Sequence, residues 1–167
     1  HADASRKEKP ETGTATLLHP SKRLLFAIEA VLDIAYYGGS QPVQSGDISQ
    51  RQGIPRRYLE QVLQHLVRSG ILAGHRGPKG GYQLARERRR INLGEIVRAV
   101  RQFEGAPDPI STVSGSRVGI EIVRPFWREL QKKMLTDLDG VSLEDLCQKA
   151  QAAGIRTEAQ ERLDFSI

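Results

Sequence analysis

Residues 75–85 read HRGPKGGYQLA, with three glycines, a proline and a lysine in five positions and an arginine just before them. Two chemistries use such a stretch. A glycine-rich loop can cradle the phosphates of a nucleotide, and a glycine-rich hairpin tip can bring cations against a larger polyanion. Spacing removes the first. A P-loop needs G-x-x-x-x-G-K-[ST] between a strand and a helix, and no Gly-Lys-Ser/Thr occurs in the chain. A dinucleotide loop needs G-x-G-x-x-G at a strand-to-helix turn, whereas this stretch joins two extended runs. As a hairpin tip it makes sense. Arg76 and Lys79 offer charge to phosphates or to a narrow minor groove, while Gly77, Gly80 and Gly81 let the backbone come close. A tight turn with incidental charges is the competing reading.

Other reactive groups are sparse. His1, His19, His65 and His75 are scattered, with no H-E-x-x-H among them, and solvent exposure is the expected state of His65 and His75. No G-x-S-x-G occurs. The single cysteine, Cys147, excludes a disulfide framework and a multi-cysteine metal site within one chain. On an amphipathic helix it reads as a packed small hydrophobe. The sequence supplies no base, nucleophile or metal set for an enzyme.

Charge points the same way as the hairpin. The 167 residues carry 25 Lys+Arg against 20 Asp+Glu, a net of +5. Residues 45–101 hold 12 basic and 4 acidic residues, a net of +8, so the remainder totals −3. A basic segment in a mildly acidic chain suggests a polyanion-facing surface. The run Arg86-Glu87-Arg88-Arg89-Arg90 reads equally well as a solvated face. No apolar run approaches the ~18 residues needed to span a bilayer, and no signal-peptide pattern occurs. With one cysteine, that predicts a cytoplasmic chain without membrane contact.

These residues need elements to position them. Apolar residues recur at helical spacing from Leu24 to Tyr37, and Gly38-Gly39-Ser40 ends the run. Ser45 is placed to N-cap a brief helix to about Gln52, which Gly53 stops. Pro55 suits the first turn of a new helix, with Leu59, Val62, Leu63, Leu66 and Val67 on one face and Arg56, Arg57, Glu60, Gln61, Gln64 and Arg68 on the other. Two short helices joined by a glycine turn make a helix-turn-helix. The runs Ile71–Arg76 and Tyr82–Ala85 around the glycine-rich turn then make a β-hairpin. The combination is a winged helix.

Asn92 with Glu95 has capping-box spacing and opens a helix through Ile96, Val97, Val100 and Phe103. After a loop, apolar residues recur from Val118 to Leu138, with Pro125 either starting or kinking the regular helix. Ser142 with Asp145 caps a last helix. The expected fold is mainly α with a small β-hairpin: a winged helix-turn-helix domain plus a long C-terminal dimerisation helix. The expected divisions are a flexible extension at 1–19, the winged domain at 20–104, a loop at 105–117, the dimerisation and C-terminal helices at 118–154, and a tail at 155–167.

A recognition helix enters the major groove with its N-terminal part leading. That places Pro55, Arg56, Arg57, Tyr58, Glu60 and Gln61 nearest the base edges and flanking phosphates of double-stranded DNA. Arginine pairs with guanine, glutamine with adenine, and glutamate accepts from cytosine N4. Arg56 and Arg57 serve equally well as phosphate anchors. The helix bearing Trp127 is apolar over about five turns, which suits either core packing or a homodimer built on Val123, Phe126, Trp127, Leu130, Met134 and Leu138.

The stretches GDISQRQGIPRRYLEQVLQHLVRSGIL and RGPKGGYQLA resemble the Rrf-two family of bacterial winged-helix regulators, through the I-x-x-R-Q-G-I-x-x-x-Y-L-E-Q core and the R-G-x-x-G-G-Y wing. The likeness continues through INLGEIVRAV and FWREL to VSLEDL and covers about Ser21 to Ala150. It implies a dimeric transcription regulator, usually a repressor. The expected function is a homodimeric repressor on a palindromic operator, with a winged-helix protein-interaction module whose basic face meets an acidic partner as the alternative. It further implies that Glu60 reads a base and that Arg76 lies in or beside the minor groove. Positions 55 and 57 usually carry small hydroxyl residues in the family, so Pro55 and Arg57 imply different contacts. Ser45 and Arg23 complete the expected DNA-facing set, Arg23 standing where the family's lysine-glycine-arginine opens the first helix near the backbone.

The departure lies further on. The cluster-binding branch of the family carries three cysteines between the capping-box helix and the tryptophan. Here EGAPDPISTVSGSRVGIEIVRPFW has none, with Glu121 where the last cysteine would stand and Arg124 where a histidine often follows. The resemblance therefore implies no iron–sulfur cluster and no other cofactor. The input signal is left to a small-molecule effector near the 104–124 loop, to a partner enzyme of cysteine synthesis as in the cysteine-free branch, or to a thiol switch at Cys147.

Overall fold

The structure, a computed structural model, describes residues 19–105, 108–111 and 113–157. The expected flexible extension at 1–19, except its last residue, and the tail from 158 lie outside the described residues.

Helix α1 (Lys22–Tyr37) starts at Ser21, whose hydroxyl accepts the Leu24 amide. Its buried side includes Leu24, Ala27, Ala30, Val31 and Ile34, small enough at the alanines for other helices to approach closely. Helices α2 (Ser45–Gln52) and α3 (Arg56–Arg68) follow. Gly53, at φ 66°, makes the left-handed turn between them, a conformation that costs any residue with a Cβ. The helix α3 buries Leu59, Val62, Leu63 and Leu66, each contributing about 1.5–3 kcal/mol by leaving water.

Strands β1 (Leu72–His75) and β2 (Gly81–Leu84) pair antiparallel, Leu72 opposite Leu84 and His75 opposite Gly81. The capping box of Asn92 and Glu95 opens α4 (Leu93–Glu104). A short 3₁₀ turn at Pro109–Ser111 and a π-helical stretch at Gly119–Val123 precede α5 (Arg124–Asp139). Pro125 lacks an N–H to donate to the preceding turn, and the change from π to α register falls beside it. A second capping box, Ser142 with Asp145, opens α6 (Leu143–Ala152).

One core joins these elements, running from Leu24 through Ile48, Leu63, Ile91 and Ile96 to Leu143 and Cys147. The last helix thus returns to the winged unit. Its start is stitched there by the backbone: Leu93 N–H donates to Val141 O at 2.9 Å, and Leu143 N–H donates to Ile91 O at 2.9 Å.

One charged side chain is fully buried among the described residues. Asp33 of α1 accepts Arg51 Nε at 2.9 Å, Arg51 Nη2 at 2.8 Å and Gln52 Nε2 at 2.8 Å. The hydrogen bonds to Asp33 outweigh the cost of burial and raise the Arg51 guanidinium above its ordinary value. Arg51 also lies over the Tyr37 ring, 4.5 Å from its centre. This clamp fixes the first helix of the helix-turn-helix against α1.

Candidate nucleic-acid interface

The exposed N-terminal turns of α3 and the hairpin belong to one surface because residues 43–45 touch both. Val43 and Tyr82 exchange backbone hydrogen bonds of 2.9 and 2.8 Å, so the segment before α2 adds to the edge of β2. Gln44 Nε2 donates to Pro78 O at the hairpin tip at 3.4 Å. The Ser45 hydroxyl donates to Glu60 Oε1 of α3 at 3.4 Å. Ser45 is therefore the first residue of α2 and not its N-cap, a place taken by Gln44 without a side-chain cap. Its hydroxyl bonds across to α3 instead.

On this surface Pro55, Arg56, Arg57 and Gln61 are exposed, and Tyr58 and Glu60 are half-buried. Pro55 precedes the first turn of α3 as its N-cap. Tyr58 packs edge-on against Phe26 at 5.6 Å and is held by the core rather than displayed whole. Arg56 Nε lies 3.4 Å from Glu60 Oε1. Arg57, Arg76 and Lys79 make no ion pair among the described residues, which leaves their charge to the solvent side. Burial raises the Tyr82 phenol above its ordinary value, and the Glu60 carboxylate adds to the effect.

The hairpin tip closes with Gly80 N–H donating to Gly77 O at 2.9 Å. Gly81 has φ 146°, and a Cβ there would stand 2.4 Å from Val43 O. Gly81→Ala should break the Val43–Tyr82 pairing and cost about 1–3 kcal/mol. Hydrogen exchange at the Tyr82 amide reads this out; unchanged protection there would refute it.

Several basic residues sit elsewhere. Arg86 pairs with Glu95 at 2.8 Å, Arg88 with Glu144, and Arg98 with Asp139 at 2.6 Å. Two arginines of the 86–90 run, Arg86 and Arg88, thus fasten the hairpin's exit to α4 and α6, while Arg89 pairs with Glu87 within the run. Arg23 does not project from the start of α1. Its guanidinium carbon lies 4.7 Å from the Phe103 ring centre and 5.7 Å from that of Tyr58, with Nε buried and lacking a hydrogen-bond partner. His65 is likewise docked, contrary to its expected exposure, with Nε2 2.8 Å from Ala99 O and its ring 4.5 Å from Phe103. His75 is exposed as expected.

A second surface is apolar. Val118, Ile122, Val123, Phe126, Trp127 and Leu130 are exposed along the π-helical stretch and the first half of α5, Phe126 at 63%. Met134 is half-buried. Leu138 packs against the domain's own core, so it leaves the apolar face expected from periodicity alone. Val118 and Ile122 take its place at the other end. Exposed apolar rows of this kind occur at protein–protein, membrane and ligand contacts.

A family model described as Rrf2, iron-dependent transcriptional regulator, matches residues 20–149. The chain belongs to the Rrf2 family. It is a winged-helix, DNA-binding transcription regulator and not an enzyme. The chain is 36% identical over 122 residues to the HTH-type transcriptional regulator IscR of Xenorhabdus nematophila, covering 72% of this chain and 74% of that one. Among solved structures it resembles T. potens IscR, with a TM-score of 0.66 and 28% identity over 86% of this chain and 96% of that one. It also resembles CymR, the global cysteine regulator of B. subtilis, with a TM-score of 0.62 and 26% identity over 78% and 97% of the two chains.

Iron dependence in the Rrf2 family calls for a set of metal-binding donors. Iron–sulfur clusters are held mainly by cysteine thiolates. The one cysteine, Cys147, is buried on α6, where burial pushes its thiol above the ordinary value despite the nearby Arg88. Glu121 pairs with Arg117 at 3.2 Å, and Arg124 Nη2 donates to Ser114 O at 2.6 Å. No group of three His, Cys, Asp or Glu side chains able to hold a metal occurs among the described residues. This donor set does not fit an iron–sulfur cluster.

Proposed function

We propose that this Rrf2 protein is a cytoplasmic homodimer that represses transcription by binding a palindromic operator, without an iron–sulfur cluster. The observation that carries the reading is the continuity of the cationic surface. Through Gln44 and Ser45, the hairpin tip with Arg76 and Lys79 is joined to the leading turns of α3 with Arg56, Arg57 and Glu60. On this reading α3 enters the major groove, Arg57 and Gln61 face bases or phosphates, and the exposed Gly77 lets the wing approach the backbone. Gly80, by contrast, is buried inside the hairpin turn, where a Cβ would stand 2.4 Å from His75 O. Two copies pair through Val123, Phe126, Trp127, Leu130 and Met134. The division into a winged unit at 20–104, a loop at 105–117 and pairing helices at 118–154 belongs to the same reading, as does a signal carried by a small molecule or by an enzyme of cysteine synthesis.

Binding of the full chain to a palindromic promoter fragment, compared with random DNA at several salt concentrations, tests this. Affinity should fall steeply with salt, because phosphate contacts release counterions. Arg76→Ala should weaken binding about tenfold and flatten the salt dependence by roughly one counterion. Equal affinity for promoter and random DNA in every condition would end the proposal.

A further inference from the structure

The carboxylate of Glu60 has two different oxygens. Oε1 is engaged twice within the chain, by the Ser45 hydroxyl at 3.4 Å and by Arg56 Nε at 3.4 Å. Oε2 has no partner among the described residues. The closest contact of the pair is through Arg56 Nε, and the two terminal amino groups make no hydrogen bond among the described residues. Of these, Nη1 lies beside the start of α2, where a Cβ built on Gly46 would stand 3.8 Å from it. A serine on α2 and an arginine one turn earlier on α3 thus orient one glutamate. The side chains of Arg56 and Glu60 are 67% and 45% exposed, so the pair faces outward.

The pair presents an acceptor next to a donor fork. In the major groove, a cytosine–guanine pair presents the complement: the N4 donor of cytosine beside the O6 and N7 acceptors of guanine. An adenine–thymine pair offers the fork no two neighbouring acceptors. We propose that Arg56 and Glu60 act as one composite reader of a cytosine–guanine pair, with Glu60 Oε2 accepting from cytosine N4 and the Arg56 amino groups donating to guanine. Ser45 is the positioning residue that holds the glutamate. The inference rests on the proposal that α3 enters the major groove, and it assigns Arg56 to a base rather than to a phosphate. The internal pair also neutralises the carboxylate. A lone Glu60 would bring an uncompensated negative charge toward the phosphates, a cost that Arg56 removes.

The experiment selects preferred duplexes from a randomised library with the full wild-type chain. Affinities of wild type, Arg56→Ala, Glu60→Ala, Ser45→Ala and the Arg56/Glu60 double alanine variant are then measured on four duplexes that differ only at the selected pair. All five proteins are first matched for thermal unfolding. Wild type should prefer cytosine–guanine over the other three by about tenfold. Arg56→Ala and Glu60→Ala should each erase that preference at the same base pair, and the double variant should lose no more than the worse single one. Ser45→Ala should reduce the preference several-fold without moving it. If Arg56→Ala instead weakened all four duplexes equally with a shallower salt dependence, Arg56 would be a phosphate anchor and the inference would fall alone. Additive losses at two different base pairs would also overturn it. If wild type selected no sequence at all, the inference and the DNA-binding proposal would fall together.

Discussion

Replacing Asp33 by alanine should destabilise the protein by about 3 kcal/mol, the lower end of the range for removing one partner of a buried ion pair. Asp33 is 1% exposed, and three hydrogen bonds from Arg51 and Gln52 converge on it. The alanine leaves three donors, Arg51 Nε, Arg51 Nη2 and Gln52 Nε2, without their acceptor. The lower end applies because Arg51 is partly exposed and can turn toward water. Against a typical total of about 5–15 kcal/mol, the loss is large. Urea unfolding at fixed protein concentration should show it as an earlier midpoint. Asp33→Asn keeps the shape and one acceptor, and should fall between. A loss below about 1 kcal/mol would mean that water replaces the clamp. Because the clamp seats α2, the variant should also lose operator affinity beyond what its unfolded fraction explains.

The other large effect is expected at Phe126. Phe126→Glu places a charge in the middle of the exposed apolar row of α5. If two copies pair there, the variant should sediment as a monomer while retaining its far-ultraviolet helical signal. Its operator affinity should drop by about a hundredfold, because the second half-site would no longer be delivered at high effective concentration. Residual binding should equal that of wild type on a single half-site. A variant that stayed dimeric would move the pairing surface elsewhere. One that unfolded would make Phe126 part of the core, at odds with its exposure.

Much of the winged unit was legible in local patterns. The apolar stripe of α3, the glycine at its start, and the two capping boxes are short-range features, and each formed where its spacing predicted. Pairings between distant residues were not legible. Ser45 has the residue type and place of an N-cap, yet its hydroxyl goes to Glu60, fifteen residues on. Arg23 reads as an exposed cation and packs on Phe103, because α1 and α4 cross there. The arginines at 86 and 88 read as a polyanion patch or a solvated face, but meet Glu95 and Glu144. Leu138 continues a periodic stripe whose two ends face different neighbours. Periodicity gives the face of a helix, not what lies opposite each residue. Asp33 carried the best hidden signal, since an aspartate beside Leu32 and Ile34 in an apolar helix needs a partner.

The backbone stitch between the starts of α4 and α6 has a consequence for operator architecture. Leu93 with Val141 and Leu143 with Ile91 close the chain on itself just after α5. The helix α5 is therefore a strut braced at its far end, and in the proposed dimer its tilt against α3 is an internal constant of each protomer. Such a dimer works as a rigid caliper. One base pair added between half-sites turns one of them by roughly a tenth of a helical turn, which bracing of this kind gives the protein no hinge to follow.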